Sequence, residues 1–208
     1  MFKFKNSRIL LFAREPLPGR VKTRLHGVMS PEQVLALYQA LLRYQVEKLS
    51  RWHLAPIELW VEGDTRNPLL QEFANQARLL TQQGEDLGQR MAHAAGSALE
   101  SADSVVLIGV DCPSIDRDYL DSALQQLADG RQVVIGPAED GGYVLLGLNR
   151  VWPELFARID WGTAGVLPQA RAAIRELGLD SRELAVRWDL DRPEDLERLA
   201  SLEPPLTF

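Results

Sequence analysis

Cysteine is nearly absent from this sequence: Cys112 is the only one in 208 residues. A single thiol excludes an internal disulfide framework and any metal site built from several cysteines. It sits between Asp111 and Pro113 with no histidine nearby, and reads as a buried structural thiol rather than a nucleophile. Histidine is also scarce, and His26, His53 and His93 are scattered without the spacing of metal ligands. No apolar run approaches the ~18 residues of a membrane span, and the N-terminus has no apolar stretch followed by a cleavage site. Those absences predict a cytoplasmic protein. Lys and Arg number 23 against 29 Asp and Glu, and the net charge of −6 argues against general nucleic-acid binding. Two phosphate-binding signatures are missing as well. Gly19-Arg20-Val21-Lys22-Thr23 lacks the glycine spacing of a P-loop, and no G-x-G-x-x-G follows the first apolar run.

What is present is an alternation of strand and helix patterns, in a length that fits one α/β domain spanning residues 1–208. Arg8 to Ala13, Ile57 to Val61 and Ala77 to Thr81 read as strands. Ser30-Pro31-Glu32-Gln33 is a capping box with proline at the first helical position. It is followed by Val34, Leu37, Tyr38, Leu41, Leu42, Gln45 and Leu49 at mostly helical spacing. Asp86 to Ala98 returns to helix. Ser104 to Val110 is nearly all apolar, as a central strand covered on both faces must be. A helix from Asp118 to Ala128 precedes a strand at Gln132 to Gly136. Tyr143 to Leu148 follows too soon for a helical crossover, so it either pairs antiparallel or bends off the sheet. Gly165 to Leu177 reads as helix, Leu184 to Trp188 as strand and Pro193 to Leu202 as a terminal helix. The expected fold is a three-layer α/β/α arrangement with a mostly parallel sheet.

In such sheets ligands bind beyond the carboxyl ends of the strands, and the unusual residues of this chain fall there. The first strand runs into Arg14, Gly19, Arg20, Lys22 and Arg24, a dense cationic loop in an acidic protein. Arginine offers paired donors to phosphate oxygens, lysine a point charge, and glycine lets the backbone come close. Gln82, Gly84 and Asp86 follow the third strand; Asp86 and Arg90 are spaced to pair along a helix. Asp111 follows the most apolar strand, where an ionised carboxylate calls for a partner such as a divalent cation; a helix cap is the plainer alternative. Glu139-Asp140-Gly141-Gly142-Tyr143 combines carboxylates, two glycines and a ring, and equally fits a hairpin turn. Asp189 and Asp191 point to opposite sides of an extended backbone, so one of them could share a metal with Asp111 while the other caps the last helix, and Asp191 suits either role.

The segments LLFAREPLPGRVKTRL, QQGEDLGQRM, LIGVDCPSI, GPAEDGGYVLLGL, IDWGT and DLDRPEDL together resemble a bacterial family of glycosyltransferase-like proteins. That family belongs to the nucleotide-diphospho-sugar transferase superfamily of GT-A fold. It was formerly a domain of unknown function, and some members are called arsenosugar-biosynthesis glycosyltransferases. The resemblance runs from Ile9 to Ala200, and extends more distantly to phospholactate and molybdenum-cofactor guanylyltransferases. It implies that Arg14, Gly19, Arg20, Lys22, Thr23 and Arg24 meet the nucleotide's phosphates, with Gln82 and Gly84 near the base. It implies Mg²⁺ or Mn²⁺ on Asp111 and Asp191. Gly141, Gly142, Tyr143, Trp161 and Thr163 would face the sugar or the acceptor. Asp140 or Glu139 would act as general base and Lys22 would stabilise developing charge. Two departures stand out: Asp111-Cys112-Pro113 replaces the Asp-x-Asp usual in GT-A enzymes, and the Gly-x-Gly-x-Arg opening of sugar nucleotidyltransferases is missing.

The expected activity is metal-dependent transfer from a nucleotide-sugar to a small-molecule acceptor. One alternative is nucleotidyl transfer from an NTP to a phosphorylated small molecule, and another is nucleotide binding without catalysis.

Overall fold

A computed structural model of the chain describes residues 1–206 and 208. Ile9, Leu10 and Leu11 have no exposed surface, so strand β1 (Ser7–Arg14) is covered on both faces. The same holds for β4 (Ser104–Gly109), as its unbroken apolar run requires. Alternation then divides the core. Ile9, Leu11, Val106 and Ile108 pack against α1 (Pro31–Trp52) and α4 (Arg117–Ala128). Leu10, Val105 and Leu107 pack the other way, against α3 (Leu87–Leu99) and Ile174 of α5 (Val166–Glu176). Each fully buried leucine in these layers contributes about 2 kcal/mol.

The remaining strands are β2 (Ile57–Glu62), β3 (Arg78–Thr81), β5 (Val133–Pro137), β6 (Tyr143–Leu148) and β7 (Ser181–Glu183). They join one sheet in the order β3-β2-β1-β4-β6-β5-β7. All pairs are parallel except those of β6, which lies reversed between β4 and β5. Of the two arrangements open to Tyr143–Leu148, the short connection from β5 produced the antiparallel one. The fold is therefore α/β with a mostly parallel sheet and helices on both sides.

Three local expectations need correction. No strand forms at the expected Leu184–Trp188; the edge strand is Ser181–Glu183, because β5 pairs with that segment from Val133↔Ser181 to Ile135↔Glu183. Leu184 and Trp188 instead pack, partly buried, against the core, and an isolated bridge joins Arg187 to Ala138. The terminal helix is a 3₁₀ segment, Pro193–Ser201. It is capped by Asp195, which accepts from the backbone N–H of Asp191 at 3.0 Å and Arg192 at 2.8 Å, and not by Asp191. Short α2 (Pro68–Gln71) carries no extended sequence signal and is capped by Asn67. The capping box at Ser30 is formed in both directions with Gln33. Among the described residues no helix is long and apolar enough to cross a membrane.

Candidate functional site

The parallel strands end together at one edge of the sheet, and the loops that follow β1, β4 and β5 meet there with the segment after Arg187. Beyond β1 the chain is pinned at three points. Tyr38 of α1 receives the Arg14 N–H at 2.7 Å and donates to the Arg14 carbonyl at 3.1 Å. Val21 and Leu25 are buried and anchor the two ends of the turn between them. Between those anchors Lys22 adopts φ +46° and ψ +44°, a left-handed conformation that costs a non-glycine residue about 1 kcal/mol. The anchors hold that backbone in place and send the lysine side chain inward.

Only 4% of the Lys22 side chain is exposed. Its Nζ lies 2.9 Å from Asp111 Oδ1 and 4.0 Å from Asp191 Oδ1, and it also donates to the Leu190 carbonyl. Arg24 pairs with the second oxygen of Asp191. Arg14 shares Glu62 with Arg90 at 2.9 and 2.6 Å, and Arg90 also donates to the Gly84 carbonyl at 3.1 Å. Arg90, whose helical spacing suggested a pair with Asp86, belongs to this ring instead, and the Asp86 carboxylate caps α3 through Gln89 N–H. Arg20 is exposed and makes no side-chain bond among the described residues. The phosphate-type cations are thus distributed around carboxylates, and Arg20 alone stands free.

Asp111 is held from behind by two polar residues on the buried face of α1. Gln45 donates to the carbonyls of Gly109 and Val110 at 3.3 and 3.2 Å. Lys48 donates to those of Pro113 and Ile115, both at 2.9 Å. Four carbonyls of the turn that carries Asp111 are therefore fixed by one helix. Gln45 fell among the residues at helical spacing without a role of its own; Lys48 gave no sequence signal, since an exposed lysine at the same spacing would look identical.

Burial lowers the Lys48 pKa from 10.5 to about 7, with Cys112 and Asp116 pulling the other way. Between about pH 7 and 10.5 the folded protein has lost a proton that the unfolded chain keeps, so this group makes stability rise with pH across that window. Lys48→Met is expected to flatten the rise by about 2 kcal/mol between pH 6 and 9. Urea unfolding of both proteins at the two pH values checks this; parallel profiles would count against it.

Inside the ring of charge lies a cavity of about 260 Å³. Its floor is apolar, with Phe12, Met91 and Leu107, and its rim carries Asp111, Asp140 and Asp189. Tyr143 and Trp161 meet edge to face across one wall, ring centroids 6.3 Å apart. Gly142 and Thr163 complete that wall. Burial raises the Asp189 pKa to about 6, the charge of Asp140 adds to the effect, and Lys22 opposes it. Cys112 borders the cavity, but burial pushes its thiol far above the ordinary range, which leaves it protonated and structural.

Of the residues singled out in the sequence, Lys22, Arg24, Asp111 and Asp191 form one contact cluster, and Asp140, Gly142, Tyr143, Trp161 and Thr163 line the adjoining cavity. Gly19 takes φ +71° with open space where a Cβ would stand, so it serves the turn. Thr23 is exposed at the start of the 3₁₀ turn after Lys22. Gln82 does not present its amide N–H groups to a base: they go to the carbonyls of Ala13 and Trp60, at 3.1 and 3.0 Å, and tie the ends of β1 and β2. Gly141 faces away from the cavity against Ala164, where a Cβ would approach that residue's carbonyl to 2.7 Å. Glu139 turns away as well, paired with Arg198 at 2.7 and 2.9 Å. Asp189, left undecided by the sequence, joins the cavity.

Asp111 Oδ1 is buried and receives no directed hydrogen bond; the Lys22 ammonium is its charge partner. A hard cation is the species such an oxygen suits. Among the described residues no three carboxylate, histidine or cysteine side chains converge as a closed cage. This arrangement fits an ion held by one or two carboxylates together with a ligand's phosphates, as Mg²⁺ commonly is.

No curated protein sequence matches the chain. The family described as an uncharacterized protein conserved in bacteria (DUF2064) matches residues 45–163. Among solved structures, a protein of Desulfovibrio desulfuricans G20, provisionally described as a nucleotide-diphospho-sugar transferase, is 34% identical. Its TM-score is 0.82, covering 91% of this chain and 84% of that one. CMP:2-keto-3-deoxy-manno-octonic acid synthetase, solved with CTP, is 13% identical with a TM-score of 0.60, covering 96% and 99%. Rv0371c of Mycobacterium tuberculosis H37Rv, solved with manganese, is 18% identical with a TM-score of 0.55, covering 94% and 97%. At the last two identities the likeness is one of fold.

Proposed function

The chain belongs to the DUF2064 family of bacterial proteins, and from that premise and the site we propose that it is a metal-dependent transferase with a nucleotide-sugar donor. The observation that carries this reading is the Lys22 ammonium between Asp111 and Asp191. Cationic loop and carboxylates meet at one point, as a metal-bound diphosphate requires. Mg²⁺ or Mn²⁺ on Asp111, with Asp191 as second ligand, would supply charge neutralisation of the diphosphate leaving group. When a diphosphate enters, Lys22 and Arg24 exchange their carboxylate partners for phosphate oxygens, and Arg20 and Arg14 extend the cationic surface.

The cavity beyond is the acceptor side. Tyr143 and Trp161 present ring faces and edges on which a sugar's apolar side can rest. Asp140 is the general base: the acceptor hydroxyl gives it a proton as its oxygen bonds to the anomeric carbon and the bond to the nucleoside diphosphate breaks. Glu139, ion-paired with Arg198, drops out of that role.

The number of cations also favours a second reading, in which a phosphorylated acceptor attacks the α-phosphate of an NTP and pyrophosphate leaves. Incubation with Mg²⁺, each common NTP or nucleotide-sugar and a small-molecule acceptor library, followed by mass spectrometry, separates the readings. An acceptor that gains a sugar residue while nucleoside diphosphate appears supports the first. Release of pyrophosphate with a nucleotidylated product replaces it by the second. Tight binding without turnover of any donor would leave only a nucleotide-binding protein.

A further inference from the structure

The opposite face of the sheet holds a second cavity, of about 510 Å³, that the transferase reading does not use. It lies between the C-terminal half of α1, the turn 113–116 behind Asp111, and the segment 186–203. Its volume is that of a small-molecule site. Four cations line it, and two are already matched: Arg198 pairs with Glu139 and stacks over Trp188, and Arg187 pairs with Asp116 at 2.8 Å and stacks over Tyr119. Among the described residues the other two have no acidic partner. Arg51 is exposed at the rim and makes no ion pair among the described residues. Lys48 is 4% exposed, has no carboxylate within 4.0 Å among the described residues, and lies over the rings of Tyr44 and Trp52. Glu203 is the one lining carboxylate that makes no ion pair among the described residues.

Two donors here lack acceptors. An ammonium has three N–H groups, and Lys48 spends two of them on the carbonyls of Pro113 and Ile115. Arg187 has a buried Nε with no hydrogen-bond partner among the described residues. A buried cation without a counter-charge and a buried N–H without an acceptor are each unfavourable, and an oxyanion relieves both. We infer that this cavity is a second ligand site, taking a small molecule that carries a carboxylate or phosphate group recognised by Lys48, Arg51 and Arg187. The aromatic walls formed by Tyr44, Trp52 and Trp188 give the rest of such a molecule a surface to lie against.

Calorimetric titration at pH 6, where Lys48 carries its charge, with pyrophosphate and with citrate tests this, in the wild type, Lys48→Met, Arg51→Glu and the doubly substituted loop variant Arg20→Ala/Arg24→Ala. At least one of the two anions is expected to bind the loop variant within about twofold of the wild type. The same anion should bind at least about tenfold more weakly to Lys48→Met and to Arg51→Glu. Arg51 is exposed, so its variant decides the matter even if Lys48→Met fails to fold. Binding of citrate alone identifies a carboxylate ligand, and of pyrophosphate alone a phosphate ligand. The proposal is overturned if neither anion binds, if binding vanishes with the loop substitutions, or if it survives Arg51→Glu unchanged. The transferase reading stands or falls separately, since none of these outcomes involves Asp111 or turnover.

Discussion

Asp111→Asn is expected to abolish the metal-stimulated part of nucleotide binding. Asparagine fills the same space but offers a neutral carbonyl where a divalent ion needs negative charge. The loss should reach about a hundredfold in affinity, or about 2.7 kcal/mol. The measurement is a titration of the tightest nucleotide, or nucleotide-sugar, with Mg²⁺ and again with EDTA. In the wild type the two curves should separate, and in the variant they should coincide near the EDTA curve. If the variant still responds to Mg²⁺ as the wild type does, Asp111 is not a ligand and its buried oxygen serves only Lys22. The substitution leaves intact the grip of Gln45 and Lys48 on the surrounding carbonyls, so a folding defect is not the expected route to that loss.

Lys22→Met should weaken nucleotide binding by a similar factor of about a hundred, but in a different pattern. The lysine contributes charge directly to phosphate, so affinity falls in EDTA as well as in Mg²⁺. Methionine keeps the apolar stem in its buried path and removes only the ammonium. Lys22→Arg is not expected to rescue: the side chain is 4% exposed, and a guanidinium is larger and planar where a point charge fits between two carboxylates. The same pair of titrations checks both variants. Wild-type affinity in Lys22→Met would reduce the lysine to a counter-charge for Asp111 and remove it from the proposed machinery.

Much of the fold was legible because its elements follow from local rules. The unbroken apolar run at Ser104–Gly109 must be a central strand, and it is. Ser30 and Gln33 announce the start of α1 by their reciprocal hydrogen bonds. The edge strand was harder. Ser181-Arg182-Glu183 is exposed and polar, so nothing apolar marks it; it is a strand only because β5 supplies partners. The apolar Leu184 and Trp188 looked more strand-like, but they are partly buried against the core and not paired in a strand.

The candidate site divides in the same way. Adjacent residues Glu139 and Asp140 are indistinguishable as acids in the sequence, yet one pairs with Arg198 and the other borders the cavity. Gly141 and Gly142 separate likewise, one against Ala164 and the other in the cavity wall. Strand-end loops change direction within one or two residues, and no periodicity reports which way each side chain leaves. Lys48 and Arg90 were invisible as site-related residues because lysine and arginine on a helix ordinarily point to solvent.

By itself, the sequence determined that cations, carboxylates and glycines would gather at one edge of a parallel sheet, because strand order along the chain and strand polarity fix where each loop emerges. Tertiary structure alone decided the pairings: Lys22 against Asp111 and Asp191, Arg14 and Arg90 on Glu62, and Lys48 beneath the turn of Asp111. Those contacts join residues far apart in sequence. Their energies depend on burial and distance, which only the packed chain possesses.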